Sequence, residues 1–199
     1  MVRDILASLA LLSIALAATS KPALLERIPL DWRPTSSLRL GTTQMVTSTV
    51  TIARFTDARD DKQAIGENRE EAEPRPVTTT NDVGAFVGEH IRQLFDSAVI
   101  KTVDSNGAVT LRGEVTKFFV REGNTYQSEV ALQLVVSDAD GKTLWKGLAS
   151  GEATRFGRSY KAENYYEVLS DALVNTVSSM LQAPEFQRAL SGRAIGAGT

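Results

Sequence analysis

The sequence predicts an α+β fold: a single sheet, made of one strand plus a three-strand antiparallel meander, with two helices packed on one face in the order β-α-β-β-β-α. Two observations predict it. Apolar and polar residues alternate through Tyr126, Val130, Leu132, Leu134 and Val136, which is the period of a half-buried strand. Around Val83–Ala98 and Tyr165–Leu181 apolar residues instead recur at three- and four-residue spacing, as on the buried stripe of a helix. Short turns between the later strands favour antiparallel pairing, because parallel strands need a long crossover.

The elements follow in order. Residues 1–18 read as a signal peptide: Arg3, an apolar run from Ile5 to Ala18, and small residues at Ala15-Leu16-Ala17 and Leu16-Ala17-Ala18 that suit a signal peptidase. That run falls short of the ~20 apolar residues that span a bilayer. Cleavage is expected near Ala17 or Ala18. Residues 19–44 are expected as an irregular lead-in, interrupted by Pro22, Pro29 and Pro34. A single α+β domain is expected over 45–190, and 191–199 as a flexible, glycine-rich tail.

Within that domain Val46–Phe55, dense in Val, Thr and Ile, reads as the first strand. The polar segment 57–80 has no apolar periodicity and carries Pro74 and Pro76, so it is expected as a mobile loop. Asn81 or Asp82 can cap the helix that follows. The meander then runs from Val109 to Thr154, with turns at Glu122-Gly123-Asn124 and Asp138-Ala139-Asp140-Gly141. Phe118-Phe119-Val120 breaks the alternation and marks a bulge. The second helix spans about Ala162–Gln182 and stops at Pro184, which opens a short final turn.

The chain of 199 residues has a net charge of -2, no cysteine and one histidine. It therefore shows no basic patch for nucleic acid. Disulfides, thiolate catalysis and thiolate zinc sites are excluded. His90 sits at the edge of a helical stripe and reads as a packed residue, since a catalytic histidine needs a nucleophile and an orienting acid beside it. The carboxylates between Asp57 and Glu73 lack calcium-loop spacing and are interleaved with Arg59, Lys62 and Arg69. No phosphate-binding or nucleophile-elbow motif occurs. No catalytic residue, metal site or cofactor is expected.

Phe55-Thr56-Asp57-Ala58-Arg59, followed by Ala64-Ile65-Gly66-Glu67, resembles the D-x-R…I-G segment of the YajG-like bacterial envelope lipoprotein family. The downstream helix, meander and Ala/Leu-rich helix extend the resemblance over residues 45–190. It implies an envelope-facing α+β domain without known catalysis. The chain departs from the family at Thr19, where a lipoprotein carries its lipidated cysteine.

The expectation is a non-catalytic periplasmic accessory domain engaging a protein partner in envelope assembly or transport, with peripheral membrane association as an open alternative. Asp57, Arg59, Ile65 and Gly66 are the candidate partner-binding residues, and the polar sheet face around Gln127, Glu129 and Gln133 is the alternative surface. Carriage of a lipid or other apolar ligand is the second functional reading, and an unrecognised hydrolase the third.

Overall fold

Eleven elements are ordered along the computed structural model, which describes residues 24–40 and 46–193. They are β1 (Val50–Ile52), β2 (Thr56–Asp57), β3 (Ala64–Asn68), β4 (Arg75–Thr78), α1 (Val83–Ser97), β5 (Thr102–Val103), β6 (Val109–Glu122), β7 (Thr125–Asp138), β8 (Thr143–Phe156), α2 (Ala162–Gln182) and α3 (Pro184–Leu190). The signal-peptide expectation and residues 194–199 of the tail lie outside the described residues.

β6, β7 and β8, each 14 residues long, pair antiparallel in succession. Alternation sends Val109, Leu111 and Val115 of β6 to the inner face. The register then slips between Val115 and Lys117, so Phe118 and Val120 take over the inner positions. That extra residue is the bulge behind Phe118-Phe119-Val120. β7 contributes Tyr126, Val130, Leu132, Leu134 and Val136 to the same side. On β8 the inner residues from Gly147 to Ala153 are small, and the reason is α2. A Cβ on Gly151 would lie 2.3 Å from Thr176 N and 2.6 Å from Ala172 O, so helix backbone rests directly on the strand.

The other side of β6 is filled in an unexpected way. β1, β2 and β3 each pair with it in parallel, in three short steps beside Val109–Leu111, Glu114–Val115 and Val120–Glu122. β5 extends the sheet beyond β1, and β4 beyond β3. Phe55, between the first two steps, buries its ring over Gly113, where a Cβ would come within 2.1 Å of it.

The expected sheet of four strands with two helices is therefore overturned: the described residues form one mixed sheet of eight strands, with three helices. The segment 57–80, expected as a mobile loop, holds the end of β2 and all of β3 and β4. Its strands are short and bury few apolar side chains, chiefly Ile65 and Val77, so no period builds up along the sequence. The first strand is likewise shorter than Val46–Phe55, because only Val50–Ile52 meets β6 and β5.

α1 begins where Asp82 Oδ1 accepts the Ala85 N–H at 2.9 Å. Its stripe Val83, Val87, Ile91 and Phe95 is buried against the sheet. It ends with the Ile100 N–H bonded to Phe95 O at 2.9 Å and Val99 at φ 61°, a left-handed C-terminal turn. α2 is buried on most of its circumference because the lead-in crosses its outer side. Arg33 N–H and Arg39 N–H donate to Ser170 Oγ and Ser178 Oγ, both at 3.0 Å, and Thr35 and Ser36 N–H donate to Asp171 Oδ1.

Candidate functional site

The structure brings Asp57, Arg59, Ile65 and Gly66 together, but inside the molecule. Arg59 Nε and Nη2 donate to Asp57 Oδ1 and Oδ2 at 2.9 and 2.8 Å. The remaining donors reach Ala64 O at 2.5 Å and Lys62 O at 2.7 Å. Arg59 is only 7% exposed, so its planar fork ties the turn after β2 to the start of β3. Burial works to raise the Asp57 carboxyl, and the Arg59 guanidinium more than offsets this, leaving its pKa below the ordinary carboxylate value. Ile65 is wholly buried in the core. Gly66 is fixed by close approach, since a Cβ there would sit 2.8 Å from the Tyr165 ring and 2.9 Å from Val120 O. Arg59, Ile65 and Gly66 are thereby enclosed, while Asp57 stays partly exposed at the edge of a surface depression.

Glu122 and His90 are also buried, as are several tyrosines. Glu122, at the end of β6, accepts hydrogen bonds from Tyr165 Oη (2.7 Å), Tyr160 N–H (2.8 Å) and Ser159 N–H (3.2 Å). Burial pushes its pKa up, but the polar side chains of Asn68, Tyr126 and Tyr165 and the Tyr160 N–H hold it below the usual value, so it stays ionised without a cation beside it. His90 Nδ1 lies 2.7 Å from Phe86 O, which places a proton on Nδ1, and its ring stacks on Trp32 of the lead-in at 4.3 Å. Burial lowers its pKa. Its neighbours are Trp32 and Phe86 rather than a nucleophile and an acid. Among the described residues no cluster of His, Cys, Asp or Glu is placed to hold a metal ion.

The outer face of the meander is the surface with open polar chemistry. The helices pack on the inner face, so the outward residues of β6–β8 face away from them. Register aligns them in rows: Arg112, Val135 and Lys146; Glu114, Gln133 and Leu148; Phe119, Glu129 and Glu152; Arg121, Gln127 and Thr154. Thr56 of β2 extends the second row beside Glu114. Leu148 and Phe156 are 79% and 89% exposed. Phe119 lies between Lys117 and Arg121, whose charges stand 5.5 and 5.9 Å from its ring centre. Two depressions indent this face. One, of about 320 Å³, is lined by Arg54, Thr56, Arg112, Glu114, Gln133 and Lys146 among others. The other, of about 280 Å³, lies around Phe119, Arg121, Gln127 and Glu152. Sequence reasoning singled out Gln127, Glu129 and Gln133 on this face. It missed Arg112 and Lys146, whose convergence depends on strand register rather than on any local pattern.

No family model matches the sequence, and no curated protein does. Among solved structures, the chain is similar to protein XCC0632 from Xanthomonas campestris, of family DUF330. The two share 12% identity at a TM-score of 0.53, over 74% of this chain and 90% of that one. Looser similarities are to the PelC dodecamer from Paraburkholderia phytofirmans (TM-score 0.43, 14% identity, 75% and 94% coverage) and to lipoprotein GNA1162 from Neisseria meningitidis (0.36, 12%, 66% and 99%). The first establishes a shared fold: a helix-backed mixed sheet also found in a bacterial protein of the DUF330 family. None of the three is described as an enzyme, and none is described as YajG-like. No helix among the described residues is long and apolar enough to cross a membrane.

Proposed function

We propose that the protein is a non-catalytic accessory domain of the bacterial cell envelope, YajG-like in sequence, that holds a protein partner on the outer face of its meander. One observation carries the reading. The inner face of the sheet is covered by helices, whereas the outer face presents Phe119, Leu148 and Phe156 among charged and amide side chains. Apolar anchors inside a polar surround are the composition of a protein-binding patch. The apolar run Ile5–Ala18 with its small-residue end supports export, and a periplasmic location is part of this proposal.

The test is site-specific photocrosslinking in cells. A crosslinker at Gln133 or Glu129 is expected to capture one and the same protein, and a crosslinker at the exposed Ser179 of α2 is expected not to. Equal capture from both sides of the molecule, or none from either outer position, overturns the reading.

A further inference from the structure

The depression beside Arg112 and Lys146 continues past the meander. Arg54 and Thr56 line it, and they also line a second depression of about 520 Å³ that reaches Lys62, Asn81 and Asp82 at the start of α1. The two make one open groove that crosses β8, β7, β6 and β2. Its cations are not used up internally. Arg54 pairs with Asp82 at 2.6 Å, and Asp57 with Arg59. Among the described residues, however, neither Arg112 nor Lys146 forms an ion pair, and the contact of Arg112 with Ser137 Oγ is long, at 3.5 Å. Arg112 and Lys146 stand on either side of Val135, two strand spacings apart. That is about 10 Å between backbones, so both heads can reach one carboxylate seated over Val135. Gln133 supplies a neutral amide in the next row, and exposed Leu148 beside it an apolar contact.

We infer that this groove receives an extended acidic segment of a protein partner, with a carboxylate clasped by Arg112 and Lys146 and an adjacent apolar side chain on Leu148. The inference rests on the outer-face reading above and adds the partner's chemistry to it. The occupant follows from charge and length. The unpaired cations outnumber Glu114, the lone unpaired carboxylate in the groove. Lys146 and Thr56 are three strand spacings and one row apart, about 16 Å, which about five extended residues cover. A carboxylate held by two cations is a charge-assisted contact, and Arg112 can grip it bidentately.

The probe is a fluorescein-labelled octapeptide of alternating leucine and glutamate, measured by anisotropy against leucine–glutamine and leucine–lysine counterparts. The acidic peptide is expected to bind at least about tenfold more tightly than the glutamine peptide, with affinity falling as salt rises from about 50 to 300 mM. The double variant Arg112→Glu/Lys146→Glu is expected to lose that binding while melting as the parent does, because both residues are exposed. Failure of the acidic peptide to bind, equal binding of the glutamine peptide, or unchanged binding by the double variant overturns the inference. So does retention on phosphatidylglycerol vesicles that the double variant abolishes while no peptide binds, which assigns the cations to a lipid surface. The two readings fail separately. Capture from Gln133 that survives the double variant leaves the outer face as the interface and removes the groove. Peptide binding without capture from Gln133 or Glu129 leaves the groove and removes the wider interface.

Discussion

Glu122 stabilises the molecule only while it is ionised. Two backbone N–H groups and the Tyr165 hydroxyl point at its carboxylate, and protonation removes the charge those donors serve. Its folded pKa is depressed, so its contribution is complete above the unfolded value of about 4.3 and is lost as pH falls from there through the folded pKa. Thermal melts across pH 3 to 7 are expected to show the parent losing stability below about pH 4.3, and Glu122→Gln to show a flatter profile from a lower starting point. Two parallel profiles would assign the acid sensitivity to other carboxylates. Ile65 gives a second test at this scale. Because its side chain is wholly buried, Ile65→Asp forces an unpaired charge into the core. The variant is expected to lose several kcal/mol or fail to fold, read from urea melts. Near-parent stability would mean that the segment around β3 detaches from the sheet at little cost. Val99 works in the opposite direction. It holds a left-handed φ of 61° while 85% exposed, a conformation that costs a β-branched residue about 1–2 kcal/mol. Val99→Gly is expected to raise stability by about 0.5–1 kcal/mol in the same assay.

At the scale of elements, α2 and β8 meet backbone to backbone. Gly151 leaves no room for a side chain beneath Thr176 N and Ala172 O, and backbone cannot rotate aside as a flexible side chain can. Gly151→Val is expected to cost more than about 2 kcal/mol, against less than about 0.5 kcal/mol for Ser150→Ala on the exposed side of the same strand. Comparable losses for both would show that α2 shifts freely over the strand. The same elements explain what could be read in advance. Tyr126 to Val136 alternates cleanly because β7 lies mid-sheet with one covered face, so its period of two is written in side chains. β3 and β4 left no such record. They are four or five residues long, and their charges pair mostly within the segment, Arg69 with Glu67 and Arg75 with Glu71, as in a solvated charge run; among these only the Glu67–Arg121 pair depends on the fold. Asp57 and Arg59 were visible as a motif, yet a braced ion pair and a solvated one are spelled alike in sequence. The groove was hidden for a related reason, since Arg112 and Lys146 stand 34 positions apart and meet only through β7.

The whole molecule is held in part by a segment with almost no regular structure. Residues 24–40 lie across α1 and α2, with Trp32 stacked on His90 and backbone groups bonded to Ser170, Asp171 and Ser178. A chain begun at Val46 is expected to melt lower than one begun at Leu24, and amide exchange along α2 is expected to quicken most around those three residues. Unchanged exchange there would make the lead-in a passive tether.

The three parallel steps of β1, β2 and β3 have a consequence for the timing of folding. All three pair with β6, so Val50 must wait for Val109 and Gly66 for Val120. A ribosome delivers residues in order, at about 5–20 per second. β1 and β2 therefore spend seconds without their main partner and β3 has only β4 to join, while β6–β8 can zip as neighbouring hairpins soon after they appear. Local pairing forms early and distant pairing late, because distant contacts carry the larger loop-closure cost. The half of the sheet that is made first is thus the half whose pairing with β6 closes last.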